Sequence, residues 1–231
     1  MQQQRNIIKA ITSSLQRNYQ SPTTFTLAVS GGADSQCLLL SFPRVAKEMG
    51  HTCIAVGIDH GFRKEADLEL DLAESLANKS NIPFHRIKVK VIDGPDGKQA
   101  HARDARYNAL FSFGNTVVTA HHFDDYAETV MIRLIRGHNI GSLKVLPEVS
   151  KNGTGVFRPM LSVTRERIIT HLNRWGIKYA NDPSNDNTDY LRVKIRKEIM
   201  PMFEVLNPKF KERLVNLSEE LHYEQAQFPS K

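Results

Sequence analysis

Short apolar runs alternate with amphipathic stretches along most of this chain. Strand-like runs recur at Phe25–Val29, Cys53–Ile58, His85–Val91 and Val117–Ala120. They are too short for helices and are bounded by polar or turn-forming residues. Helical patterns lie between them. Ser35–Lys47 is one, and Ala66–Ser80 is another, with Leu68, Leu72 and Leu76 at steps of four. Lys98–Phe113 follows the turn-prone Asp93-Gly94-Pro95-Asp96-Gly97, and Phe123, Ala127, Val130, Met131, Leu134 and Ile135 form a helical stripe after the fourth run. Ile7, Ile8, Ile11 and Leu15 predict an amphipathic first helix packed on the sheet. Strands alternating with helices predict an α/β fold with a parallel sheet covered on both faces.

The pattern changes after residue 140. Gly153-Thr154-Gly155 reads as a hairpin tip or surface loop. Thr164 reads as a helix cap with Glu166 in the first turn. Ile168, Ile169, Leu172 and Trp175 give that helix an apolar face. Asp182-Pro183-Ser184-Asn185 reads as a turn, Asp189–Met200 as a basic helix stopped by Pro201, and Pro208–Gln225 as a last helix. The expected organisation is one main domain over residues 1–150 and a small helical extension over 151–231.

Bulk properties narrow the function classes. The chain has 231 residues, 40% of them hydrophobic, enough for a core, and no apolar stretch nears the roughly 20 residues of a membrane-spanning helix. Its net charge of +6 favours a polyanionic partner such as nucleic acid. Two cysteines, Cys37 and Cys53, lie in apolar surroundings and share no metal-binding spacing, so buried reduced thiols of a cytoplasmic protein are expected. No acidic residue precedes Asp34 while Arg5, Lys9 and Arg17 do, which also resembles an organelle import segment. The helical spacing of the isoleucines favours a packed helix instead.

The candidate chemistry begins at Ser30-Gly31-Gly32-Ala33-Asp34-Ser35, between the first strand and the following helix. A helix start offers unpaired N–H groups and the positive end of the dipole to a phosphate. Gly31 and Gly32 leave the approach open, and Ser30 and Ser35 add hydroxyls. Asp34 repels phosphate unless a cation lies between them, so the loop points to metal-assisted handling of nucleotide phosphates. It is neither a Walker loop nor the G-x-G-x-x-G fingerprint. Open parallel sheets bind ligands at the carboxyl ends of their strands, and two more polar clusters fall there. Asp59-His60-Gly61 follows the second run, and His121-His122-Phe123-Asp124-Asp125 follows the fourth.

His121, Asp125, Glu128 and Thr129 come within reach of one another if a helix begins near Phe123. Two readings of the residues stand for this cluster. It can bind a transition metal, or cap the helix with Asp124 and Asp125. Arg103 and Arg106, three apart, offer two planar guanidinium forks suited to phosphate, or a merely charged surface face.

Together these segments resemble the tRNA(Ile)-lysidine synthase family of pyrophosphate-loop ATP pyrophosphatases. The resemblance runs from about Phe25 to Pro208. Besides the loop at 30–35, it rests on D-H-G-F-R at 59–63, A-R-D-A-R-Y at 102–107 and T-A-H-H-F-D-D-Y-A-E-T at 119–129. Further pieces are I-R-G at 135–137, R-P-M-L at 158–161, N-D-P-S-N-D-N-T-D-Y at 181–190 and K-I-R at 194–196. It implies a Rossmann-like, adenine nucleotide alpha hydrolase-like domain with ATP at Ser30, Gly31, Gly32, Ala33, Asp34 and Ser35.

The implied reaction starts with attack by C2 oxygen of the wobble cytidine, in a tRNA(Ile) with a CAU anticodon, on the α phosphate of ATP. Pyrophosphate leaves with Mg2+. The ε-amine of free L-lysine then displaces AMP to give lysidine. By matching motifs, Asp34 and Asp125 engage the metal or phosphates, and His121 and Arg106 act near the transferred phosphate. Arg103 supports them, and Arg196 holds nucleotide or RNA.

Val193 stands where the family usually has asparagine. The chain also ends soon after these motifs, where many relatives continue with tRNA-gripping domains, so it is either a short form or a fragment. In a short form, Lys194, Arg196, Lys197, Lys209, Lys211 and Arg213 are expected to bind RNA weakly and salt-sensitively. Two other readings are a tRNA 2-thiolation enzyme with the same loop and a non-catalytic nucleotide- or RNA-binding relative.

Overall fold

The computed structural model describes residues 6–59, 65–89, 98–114, 116–138, 143, 146–150, 155–181 and 190–227. The chain divides into two compact units. One comprises Met1–His121 and Glu148–Asn181, the other His122–Pro147 and Asp182–Lys231. This partition crosses the position-150 boundary expected from sequence, because each unit is assembled from two separate stretches of chain.

The first unit holds a five-stranded parallel sheet. Its strands are β1 (Thr24–Val29), β2 (Thr52–Asp59), β3 (Phe84–Lys88), β4 (Thr116–Val118) and β5 (Gly155–Phe157), in the order β3-β2-β1-β4-β5. The helices of this unit are α1 (Ile7–Asn18), α2 (Ala33–Glu48), α3 (Glu65–Lys79), α4 (Lys98–Phe111) and α6 (Arg165–Arg174). Strand alternation divides the core between the two faces. Phe25, Leu27 and Val29 of β1, with Cys53 and Ala55 of β2 and Val118 of β4, join the cluster that contains α1, α2 and α6 residues. Ala28, Ile54, Val56, Ile58 and Val117 join Tyr107, Leu110 and Phe111 of α4. The parallel doubly covered sheet is therefore as the periodicity predicts. Ile7, Ile11 and Leu15 of α1 are buried in the first cluster.

Several boundaries differ from the sequence reading. β5 was not anticipated. Its Gly155 belongs to the stretch read as a hairpin tip, and residues 151–154 lie outside the described residues. On either side of them Val149 pairs antiparallel with Phe157, and Ser150 N–H donates to Val156 carbonyl oxygen at 2.9 Å. A three-residue strand leaves too short an alternation to read. Trp175 does not complete the apolar face of α6. It is the C-cap and is 58% exposed, while Ile168 and Leu172 are fully buried. The turn at 182–185 lies outside the described residues.

The second unit contains α5 (Phe123–Ile135), α7 (Leu191–Lys194), a π-helical turn (Ile195–Ile199), α8 (Met200–Leu206) and α9 (Phe210–Gln227). Of the stripe read on α5, Ala127, Val130 and Met131 are buried, with Tyr126, against Ile195, Met200, Leu214 and Val215, whereas Leu134 and Ile135 at the end of the helix are exposed. Pro201 does not stop the basic helix as expected. It sits at the second position of α8, where an N–H has no intrahelical partner to lose. The wide turn before it reaches Met200, whose N–H donates to Ile195 carbonyl oxygen.

Candidate active site

β1 is the central strand, and the order of connection reverses beside it. β2 lies on one side and β4 on the other. The crevice at such a reversal, outside the carboxyl ends of the strands, is where open α/β sheets bind ligands. Ser30 follows β1 directly. β4 ends at Val118, paired with Leu27, and each chain runs three residues further, to Ser30 and to His121.

The glycine turn is built by backbone needs. Gly31 has φ +70°, and a Cβ there would stand 2.0 Å from Glu69 carbonyl oxygen, so only glycine fits. Its own carbonyl accepts from Ala180 N–H at 2.9 Å. Gly32 has an ordinary φ of −70° and is the N-cap of α2, with no side-chain cap hydrogen bond. Among the described residues a Cβ on Gly32 would meet only Ser30 Oγ, at 3.7 Å, so they leave the space over the turn open. Ser35 Oγ donates to Gly32 carbonyl oxygen (2.9 Å) and accepts from Ser30 N–H (3.2 Å), which locks the loop onto the helix. α2 begins at Ala33, two residues earlier than expected, so Asp34 and Ser35 both occupy its first turn. An uncapped helix start under an open glycine turn fits a phosphate.

Asp34 carries a partner the sequence did not reveal. Arg165, the first residue of α6, donates from Nη1 to Asp34 Oδ2 at 3.1 Å. Both side chains keep about a third of their surface in solvent. His121 is oriented by Thr119, whose Oγ1 lies 2.7 Å from Nδ1. Arg103 and Arg106 both approach the Tyr107 ring, their Cζ atoms 5.2 and 5.3 Å from its centroid.

The second unit gathers the remaining predicted residues. His122 caps α5 reciprocally with Asp125. Asp125 N–H donates to His122 Nδ1, and His122 N–H donates to Asp125 Oδ2 at 3.1 Å. Of the two aspartates read as cap candidates, Asp125 makes the box, while Asp124 accepts from Lys211 Nζ at 3.0 Å. Glu128 is 2% exposed and lies between two arginines. Arg192 Nε donates to its Oε2 at 2.8 Å, and Arg196 donates from Nε to Oε1 (2.6 Å) and from Nη2 to Oε2 (3.0 Å). Arg192 Nη2 also reaches Asp125 Oδ1 at 3.2 Å. Here Arg196 is anchored by Glu128 in a bidentate pair. Glu128 is legible in the sequence as part of the cluster but without a role, and Arg192 carries no local signal at all. Their separation of 64 residues hides the pair from periodicity.

Among the described residues no group of three or more His, Cys, Asp and Glu stands ready to hold a metal ion alone. Magnesium typically takes only one or two carboxylates and completes its shell with phosphate oxygens and water. Asp34 would fit that role by exchanging Arg165 for the ion, and Asp125 by exchanging Arg192 and Arg196. Cys37 and Cys53 are buried, and burial pushes both thiols up to about 12, so neither is a ready thiolate. No described helix is long and apolar enough to cross a membrane.

Comparison with known proteins follows the same lines. The chain is 34% identical over 201 residues to a tRNA(Ile)-lysidine synthase of Petrotoga mobilis, covering 83% of this chain and 64% of that protein. It is 36% identical over 192 residues to the one from Rhodopseudomonas palustris (80% and 55% covered). For the one from Pseudomonas syringae pv. tomato, identity is 31% over 195 residues (82% and 44%). The chain thus spans about half the length of these curated relatives. Among solved structures, the U34-tRNA thiolase NcsA from Methanococcus maripaludis, solved with its 4Fe–4S cluster, superposes with a TM-score of 0.76. That match covers 97% of this chain and 82% of the thiolase at 16% identity, a likeness of fold. The PP-loop domain matches residues 2–203, from ahead of α1 into α8, and the chain belongs to that family.

Proposed function

We propose that this chain ligates L-lysine to C2 of the wobble cytidine of tRNA(Ile) bearing a CAU anticodon, through an ATP-adenylated base. One observation carries the reading. An open glycine turn meets an uncapped helix start at the sheet's switch point, in a chain 31–36% identical to proteins named tRNA(Ile)-lysidine synthase. The turn suits a polyphosphate, and the names supply the acceptor and the amine. tRNA and free lysine put the reaction in the cytoplasm.

In this reading Ser30, Gly31, Gly32, Ala33 and Ser35 cradle the phosphates through backbone N–H groups and hydroxyls. A magnesium ion, when bound, screens charge on the leaving pyrophosphate. Asp34 holds that ion and exchanges Arg165 for it. His121, its ring fixed by Thr119, donates toward the transferred phosphate, and Arg106 offsets its negative charge with Arg103 in support. Arg196, held by Glu128, is assigned to binding nucleotide or RNA. Adenylation turns a poor oxygen leaving group into AMP, which the lysine amine displaces. The buried, high-pKa thiols do not support sulfur transfer as an alternative.

The test is a labelling assay with purified protein, ATP, Mg2+, unmodified tRNA(Ile) and radiolabelled lysine. Pyrophosphate release should need the tRNA, and label should enter the RNA. ATP binding without label transfer would overturn the ligase reading in favour of a binding module.

A further inference from the structure

Lys211, in the first turn of α9, lies between two carboxylates inside the second unit. Its Nζ is 3.0 Å from Asp124 Oδ1 and 3.1 Å from Glu204 Oε1. The lysine side chain is 25% exposed and that of Asp124 only 16%. Burial lowers the Lys211 pKa, but the charges and hydrogen bonds of Asp124 and Glu204 outweigh it and raise the pKa overall, so the amine stays protonated. Sequence alone counts Lys211 among the cations available to RNA, and it stands beyond the stretch matched by the PP-loop domain. In the fold its charge is engaged by α5 and α8 instead.

The other oxygen of Asp124 leads to His122, whose side chain is wholly buried. Asp124 Oδ2 lies 3.7 Å from His122 Nδ1. The same Nδ1 accepts the Asp125 N–H at 3.4 Å, and Nε2 lies 3.4 Å from Asp125 Oδ2. Nδ1 accepts that bond only as a bare nitrogen, so the hydrogen bonds assign the proton of the neutral ring to Nε2, toward Asp125. In this tautomer Asp124 Oδ2 and Nδ1 are two acceptors facing each other. Left to itself, the Asp124 charge would draw the ring proton to Nδ1, and the cap of α5 would lose its acceptor. An ammonium on the far oxygen of Asp124 weakens that pull. The cap in turn orients Asp125. Its Oδ2 accepts the His122 N–H at 3.1 Å, which leaves Oδ1 toward Arg192 (3.2 Å) and Arg196 (3.7 Å).

We propose that Lys211 is a positioning residue, acting through Asp124 to keep His122 in its Nε2–H tautomer and so to hold the Asp125 carboxylate at the start of α5. The two adjacent aspartates then have separate tasks. Asp124 takes the lysine, and Asp125 is kept for the site. The consequence for catalysis rests on the reading in which Asp125 engages the metal or the phosphates, whereas the tautomer is independent of it.

The test is nitrogen NMR of the full chain labelled at its histidine rings, at about pH 8.5, well above the ordinary histidine value of about 6.5. His122→Gln identifies the signals. In the wild type, Nδ1 should resonate as a bare nitrogen and Nε2 as an N–H. Lys211→Met should move most of the proton to Nδ1, and Lys211→Arg should not. Adding Asp124→Ala to Lys211→Met should restore the Nε2–H form, which a mere loosening of packing would not do. Lys211→Met should also raise the Mg2+ concentration for half-maximal pyrophosphate release about tenfold, the usual scale for losing a group that orients a metal-binding side chain. An Nδ1–H ring in the wild type overturns the proposal without any variant. So does an unchanged tautomer in Lys211→Met, or a swap that Asp124→Ala fails to reverse. A swap that leaves the magnesium titration unchanged removes Asp125 from the metal site and leaves the tautomer assignment standing. A chain that shows the swap but transfers no lysine keeps this inference and loses the ligase reading.

Discussion

Arg165 Nη1 lies 3.1 Å from Asp34 Oδ2, so the acid of the glycine turn faces a cation supplied 131 residues later. The pair is about one-third exposed on each side and contributes at most about 1 kcal/mol to folding. Its importance is for charge at the turn. Arg165→Met should leave the melting temperature nearly unchanged and lower the Mg2+ concentration for half-maximal pyrophosphate release about threefold, because the ion no longer competes with a guanidinium. Asp34→Asn should cut the rate about a hundredfold or more. An unchanged magnesium titration in Arg165→Met would show that the two cations do not share the carboxylate.

The two glycines of the turn should respond differently to alanine. Gly31→Ala places a Cβ 2.0 Å from a backbone oxygen at φ +70°, and the protein should lose roughly 2 kcal/mol or more, or fail to accumulate. Gly32→Ala meets no clash among the described residues and should keep wild-type stability. Its methyl enters the space proposed for phosphate, so ATP affinity should fall at least tenfold. Thermal unfolding and ATP titration of both variants separate the two effects.

Glu128 holds two arginines from inside the second unit. Glu128→Ala removes the buried anion between Arg192 and Arg196 and leaves them only Asp125 Oδ1, at 3.2 and 3.7 Å, among the carboxylates of that cluster. The expected loss is about 3 kcal/mol, the low end for a broken buried pair because both arginines keep solvent contact. Glu128→Gln retains an acceptor oxygen and should fall between. Urea unfolding gives the loss, and hydrogen exchange should locate it in 123–135 and 191–206.

Stability should fall below neutral pH for a traceable reason. Burial lowers the pKa of His51, and burial with Arg174 lowers that of His171. His51 Nδ1 accepts from Thr23 N–H at 3.1 Å, which favours the neutral ring. A lowered folded pKa means that the unfolded chain takes up the proton first. Stability is therefore full above the ordinary histidine value of about 6.5 and declines as pH falls through it toward the folded values. Glu219, whose pKa burial raises, works in the opposite direction at lower pH, losing stability as pH rises from the ordinary carboxylate range. The double variant His51→Gln, His171→Gln should flatten the dependence between pH 7.5 and 5.5 in thermal unfolding. An unaltered slope would assign the loss to other groups.

Four of the five strands and the glycine turn were legible in the sequence, and the three-residue β5 was not. Phe25, Leu27 and Val29 alternate with Thr26 and Ala28, and strand alternation is a local property that fixes which face each residue serves. The glycine turn was legible because the conformation of Gly31 and the helix start at Ala33 depend on neighbours in the chain. Tertiary structure alone decided which charges meet. Arg165 reaches Asp34, and Arg192 and Arg196 reach Glu128, across dozens of residues that carry no shared period. It also decided that Pro201 begins a helix instead of ending one, since a π-helical turn upstream rearranges the hydrogen bonds on which that choice depends. Pairing of charges depends on distance in space, and distance in space is set by the packing of whole elements.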